Sequence, residues 1–203
     1  MVVDASQSSL THVGVAIVWG LVVMVMIFAV GRVSGAHMNP AVTIAFTAMG
    51  KMTVRDCGLY VASQFFGACL GALAIMAVMG NEVGSLGATT TILPAWSAVA
   101  VEFTMTAILM FVVIGVSTGA KEESVTAAIA VGATIAMEAF VAGPLTKASM
   151  NPARSLGPAL FADSQSGALT ELWIYIVAPI AGALFGALLC KILEPKHPGA
   201  SEN

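Results

Sequence analysis

The sequence predicts an all-α membrane protein built as an inverted repeat, with five full transmembrane helices and two re-entrant half-helices. Three observations carry that prediction. The chain has 203 residues, of which 58% are hydrophobic and only 9% charged, with a mean hydropathy of +0.93; a soluble domain carries roughly a quarter of its residues as charges. Five stretches, 13–32, 57–80, 96–117, 124–143 and 172–193, are apolar over about the 20 residues that a membrane-crossing helix needs. The tripeptide Asn-Pro-Ala occurs twice, at 39–41 and 151–153, an offset of 112 residues.

Basic residues orient the spans. Arg32, Lys51, Arg55, Lys121, Lys191 and Lys196 fall at ends that share one side, while only Lys147 and Arg154 fall towards the other. The C-terminus is therefore expected inside. The net charge of −3 and pI near 5.5 argue against a nucleic-acid partner. No signal peptide is expected, for want of a basic n-region with a cleavage site. Cys57, Cys69 and Cys190 lack any CxxC or metal-ligand spacing and read as small apolar helix residues.

The apolar pieces 40–49 and 152–161, each opened by an Asn-Pro, are too short to cross. Asn is a preferred helix N-cap and Pro suits the first helical position. Each motif thus starts a short helix sharply, with its positive dipole end at the Asn. The loops "GRVSGAH" (31–37) and "GPLTKAS" (143–149) are expected to supply irregular backbone whose carbonyls form a ladder of acceptors.

With the motifs aligned, "QFFGACLGAL" (64–73) matches "PIAGALFGAL" (179–188) once the second half is given three extra residues. Gly67/Gly71 and Gly182/Gly186 are then matching small-residue faces that allow close helix approach. An odd number of spans separates the motifs, so the halves run in opposite directions across the membrane. The repeats are 1–80 and 96–193, followed by a tail, 194–203, that reads as disordered; the whole of 1–203 is one domain. The first repeat lacks a counterpart of span 96–117, which would lie at about −16 to 5. A truncated sequence or misplaced start codon is the favoured explanation, a true five-span protein the alternative.

In such a repeat the two half-helices enter from opposite faces and their N-termini meet near the midplane. Two side-chain amides and two positive dipole ends then face one lumen, which admits uncharged hydrogen-bonding solutes and opposes cations and protons. One half carries Arg154 three residues after its Asn; the matching residue of the other is Val42. Arginine stays charged and offers five donors in a fixed fork, and in a membrane segment it is costly enough to suggest function.

"SGAHMNPAVT" and "GPLTKASMNPARSLGPAL", with nearly the whole of the remaining chain, resemble the aquaporin, or major intrinsic protein, family. The resemblance implies six helices and two half-helices, one pore per subunit, and a homotetramer in the plasma or inner membrane with a cytoplasmic C-terminus. It implies a passive channel for water and small uncharged solutes, with no cofactor and no metal. The pore motifs are Asn39, Pro40, Ala41 and Asn151, Pro152, Ala153. The family's four-residue selectivity filter matches Trp19, Ala139, Ala148 and Arg154. This set is most similar to the nodulin-like branch of plants and its prokaryotic relatives. Glycerol facilitators commonly place an aspartate after the arginine, where this chain has Ser155. Carbonyls of Gly35, Ala36, His37, Lys147, Ala148 and Ser149 are expected to line the pore, and Glu102 to support the re-entrant loop.

Glu138 is expected to face the bundle, His37 to anchor its loop, and Met38 and Met150 to pack against the opposite motif. Lys147, where the family commonly has a small residue, is expected near the outer mouth. "TGAKEES" (118–124) reads as a solvated inner loop. No nucleotide, nucleophile or metal motif supports an enzyme. The competing readings are a secondary transporter of a small neutral solute, which also uses inverted repeats, and a non-conducting truncated homologue.

Overall fold

A computed structural model describes residue 2 and residues 10–80, 83–117 and 123–193. Among the described residues the elements are α1 (Thr11–Ser34), α2 (Pro40–Ala48), α3 (Val54–Met79), α4 (Ala95–Ser117), α5 (Glu123–Thr146), α6 (Pro152–Phe161) and α7 (Ala168–Leu193), with short 3₁₀ turns at Val83–Gly87 and Ser164–Ser166. Five helices, all but α2 and α6, are long and apolar enough to cross a membrane. The expectations for loop 118–124 and tail 194–203 lie outside the described residues, except that Glu123 and Ser124 open α5.

The irregular loops are shorter than expected. The first half's helix runs on to Ser34 and the second's to Thr146, leaving only 35–39 and 147–151 non-helical. The sequence suggested a break at Gly143-Pro144, yet Pro144 sits inside α5. Proline lacks the N–H that would bond the carbonyl four residues back. That carbonyl, Phe140 O, instead accepts from Nε2 of His12 on α1 at 2.9 Å. Gly143 makes room for this donor: a Cβ there would stand 2.6 Å from the His12 ring. A neighbouring helix satisfies the freed group, as spanning helices require.

In lipid the drive to pack apolar helices is weak, so close backbone approach decides which faces meet. α1 packs extensively on α5, and α4 on α7. The α1–α5 crossing falls at Gly20 and Gly132, which are themselves 112 residues apart. A Cβ on Gly20 would lie 2.4 Å from the Gly132 carbonyl oxygen, and one on Gly132 2.8 Å from the Gly20 oxygen. This pair lies on the pseudo-two-fold axis that relates the two halves. The half-helices wedge inward, α6 against α3 and α2 against α7. Gly157 of α6 sits so close to α3 that a Cβ would come within 2.5 Å of the Ala68 oxygen.

The two GxxxG faces differ, against the sequence expectation. Gly182 and Gly186 press on α4, with the Phe103 and Ala107 oxygens each 2.3 Å from where a Cβ would be. Gly67 and Gly71 of α3 have nothing within 4 Å of such a Cβ. The reason is the partner. α4 fills the α7 face, and no counterpart of α4 stands against α3 among the described residues.

This asymmetry predicts unequal mutants. Gly182→Val forces α4 and α7 apart, at the cost of about 1–3 kcal/mol typical of overpacking. Gly67→Val bears the same propensity change but meets open space. The melting temperature in detergent should fall by several degrees only for Gly182→Val. Equal melting temperatures for the two variants would show that α4 and α7 re-space freely.

Candidate functional site

Asn39 and Asn151 each start a half-helix in the way their sequence suggests. The Asn39 side chain accepts from the Ala41 amide at 2.9 Å, and Asn151 accepts from Ala153 and Arg154 at 3.0 and 3.2 Å. Each is followed by Pro at the first helical position. The loops before them hold left-handed backbone at non-glycine residues: Ala36 and Met38 in one, Lys147, Ala148 and Met150 in the other. With Gly35 included, the pairs 35/147, 36/148 and 38/150 all obey the 112 offset. Such conformations cost of order 1–3 kcal/mol each and persist only where surroundings over-determine them.

Two sets of bonds over-determine these. The Asn39 Nδ2 donates across the axis to the Met150 carbonyl at 2.8 Å, and the Asn151 Nδ2 donates to the Met38 carbonyl at 2.8 Å. Each loop thus accepts from the opposite motif. A carboxamide nitrogen has two N–H groups, so one remains on each asparagine after the cross-link. The second set centres on Glu102 of α4, which is fully buried. Its Oε1 accepts from Thr146 Oγ1 at 2.7 Å and from the Ser149 amide at 2.9 Å; its Oε2 accepts from the Met150 amide at 2.8 Å.

In the other loop, Thr43 Oγ1 donates to the Asn39 carbonyl at 3.0 Å. It accepts from Gln64 Nε2 at 2.9 Å and lies 3.2 Å from His37 Nδ1, which donates to it in this arrangement. The His37 ring also stacks on Phe46 with centroids 4.8 Å apart.

A cavity of about 300 Å³ runs along these groups. Trp19, Ala139, Ala148 and Arg154 all line it, and so do Asn39 and Asn151. Gly35, Ala36, His37 and Ser149 line it as well. Most of the remaining wall is aliphatic, from residues such as Val23, Ile27, Leu109, Val131 and Ile135. No Asp or Glu is among its lining residues.

Some expected members stand elsewhere. Lys147 does not line the cavity, and neither do Pro40, Ala41, Pro152 or Ala153. The prolines and alanines are buried behind the asparagines, where the half-helices pack on their neighbours. Glu138 is fully buried away from the cavity, and neither of its carboxylate oxygens has a hydrogen-bond partner among the described residues.

Arg154 is held from two sides. Its Nη1 donates to the Gly87 carbonyl at 2.8 Å, and its guanidinium carbon lies 4.8 Å from the Trp19 ring centroid. The latter is within cation–π range. Sequence reasoning missed Gly87, which stands 67 residues before Arg154 at the end of a 3₁₀ turn with nothing to mark it. It also missed the acceptor role of the Met38 and Met150 carbonyls. Gly20 and Gly132 were legible in principle, since they obey the offset that pairs the motifs.

The site can therefore receive an uncharged solute on amide and guanidinium donors along a mostly aliphatic wall. A cation meets two positive helix ends and an arginine.

Comparisons with known proteins agree with this geometry. The family model for major intrinsic proteins matches residues 1–190. Aquaporin NIP1-1 of Oryza sativa subsp. japonica is 45% identical over 194 residues, which cover 94% of this chain and 66% of that protein. Aquaporin NIP3-1 of Arabidopsis thaliana is 42% identical over 196 residues, covering 93% of this chain and 59% of that protein. The chain thus spans about two thirds, or somewhat less, of such relatives. The X-ray structure of the aquaglyceroporin from Plasmodium falciparum superposes with a TM-score of 0.83 at 21% identity, covering 94% of this chain and 89% of that one, and so shares the fold. The chain belongs to the major intrinsic protein family, the family of the aquaporins.

Proposed function

We propose that this chain forms a passive transmembrane channel for water and small uncharged solutes, and that it excludes ions and protons. The observation that carries the reading is the pair of cross-linked asparagines, each with one remaining N–H, on the same cavity as Arg154. The relatives named above, aquaporins and an aquaglyceroporin, support it. A secondary transporter would need a coupling site, and the cavity's lining residues include no carboxylate. Trp19, Ala139, Ala148 and Arg154 are proposed as the selectivity filter. Two alanines leave width there, Trp19 offers a flat apolar face, and Arg154 donates. Solutes of glycerol size, small amides or ammonia fit that chemistry. The lumen also takes acceptors from the loops 35–37 and 148–149, and Glu102 holds the second loop in shape. The assembly is proposed as a homotetramer in the plasma or inner membrane, with its C-terminus cytoplasmic.

Stopped-flow shrinkage of proteoliposomes tests the channel. Water flux should rise above that of protein-free vesicles, without saturation and without an ion gradient. A rate equal to protein-free vesicles would remove the assignment. Asn151→Asp places a carboxylate against two positive helix ends, which should raise cation leak and lower water flux. An unchanged ion conductance would show that these ends are not the barrier.

Ala139→His tests the filter. If the alanines set its width, glycerol flux should fall at least roughly tenfold, the scale of a contact worth a little over a kcal/mol, with a much smaller loss of water flux. Glycerol flux equal to the parent's, with water flux intact, would place the constriction elsewhere.

A further inference from the structure

A second cavity, of about 600 Å³, opens away from the channel lumen between the C-terminal ends of α4 and α7, beside the C-terminal end of α2. Its walls are apolar: Phe111, Ile114 and Gly115 from α4, and Leu184 and Leu188 from α7, with Met49 just past α2. A Cβ on Gly115 would touch nothing within 4 Å, so the groove is open at its α4 side. Lys51 and Lys191 are the charged residues of its lining, which contains no Asp or Glu. Both lysines are exposed. Among the described residues neither has a carboxylate within 4.0 Å; Lys51 Nζ lies 5.8 Å from the Phe46 ring centroid.

A simpler role for each lysine is to offset the negative end of its own helix. Lys191 stands in the last turn of α7, and Lys51 lies three residues past the end of α2. That role explains two isolated cations. It does not explain why both border one open groove with aliphatic and aromatic walls.

We propose that this groove seats an anionic phospholipid, with an acyl chain along Phe111, Leu184 and Leu188 and its phosphate at the Lys51/Lys191 mouth. Several features favour a lipid over a soluble anion or a protein. The walls are continuous with spans that face hydrocarbon: Phe111 and Leu188 are 39% and 52% exposed. The charge sits at one end only, as on a phospholipid. Basic pockets between spanning helices at a cytoplasmic face are a recurrent way to bind anionic headgroups. The lysine-bearing face is the one proposed as cytoplasmic, and the choice of leaflet rests on that reading. The binding chemistry does not.

Native mass spectrometry of the full chain released from detergent micelles tests the proposal without reference to flux or sidedness. The probes are dioleoyl-phosphatidylglycerol and dioleoyl-phosphatidylcholine, which share acyl chains and differ in net charge. The parent should retain roughly tenfold more phosphatidylglycerol, given two lysines near the headgroup. The double variant Lys51→Gln/Lys191→Gln should bind the two lipids alike. Gly115→Leu, which fills the groove and keeps both lysines, should lose bound lipid of either kind. Millimolar glycerol 3-phosphate, a headgroup without a chain, should not displace the lipid. Equal binding of both lipids by the parent, a preference that survives in the double variant, or displacement by the soluble phosphate would each overturn the proposal.

Discussion

Each asparagine amide crosses the pseudo-two-fold axis to a carbonyl of the opposite loop, and the geometry of the lumen follows from that exchange. The loops are held in left-handed conformations at residues that do not favour them, Ala36 and Met38 on one side and Ala148 and Met150 on the other. A pair of 2.8 Å bonds, one buried and one part-buried, supplies much of what keeps them there. The same bonds fix the plane of each carboxamide. Fixing the plane also fixes the direction of the second N–H, which is the one available to a solute. In the proposed channel, donation to a solute would therefore originate in the contact between loops, with the helices serving to bring the loops within reach.

On this symmetric frame the chain places unequal parts. Val42 and Arg154 occupy equivalent positions, and only the latter can donate or carry charge. Glu102 anchors the second loop through the Ser149 and Met150 amides and the end of α5 through Thr146. The first loop is anchored differently, by Thr43, Gln64 and His37 and by Tyr60, whose hydroxyl donates to the Ser34 carbonyl at 3.2 Å. A buried carboxylate braces the side that carries the arginine, whereas hydroxyl, amide and imidazole groups brace the other. The half that carries the arginine is thus braced by one carboxyl group that accepts three hydrogen bonds.

Much of this was legible in the sequence, because its strongest signals are local. Asn-Pro announces a capped helix start wherever it occurs, and an apolar run of sufficient length announces a span. Both half-helices and all five spans stand within a few residues of their expected bounds. Hydrophobic pattern could not reveal how the helix ends are satisfied. Gly143-Pro144 reads as a break, and it fails to be one because His12, 128 residues before Phe140, supplies the donor that the Phe140 carbonyl lacks. The grip of Gly87 on Arg154 was hidden for a similar reason: a backbone carbonyl has no sequence signature. The two GxxxG motifs look alike in sequence, and only the presence or absence of a packed neighbour separates them.

The Gly20–Gly132 crossing has a bearing on how steady the passage is. Trp19 adjoins one of these glycines, and Ala139 lies about two turns beyond the other on the same helix. At the crossing the two main chains approach closely, with the Ala136 and Met24 side chains packed beside the glycines. Alanine has no rotamers to exchange, and the indole is stacked against the guanidinium of Arg154. The calibre between these two walls therefore follows the backbone spacing at that crossing.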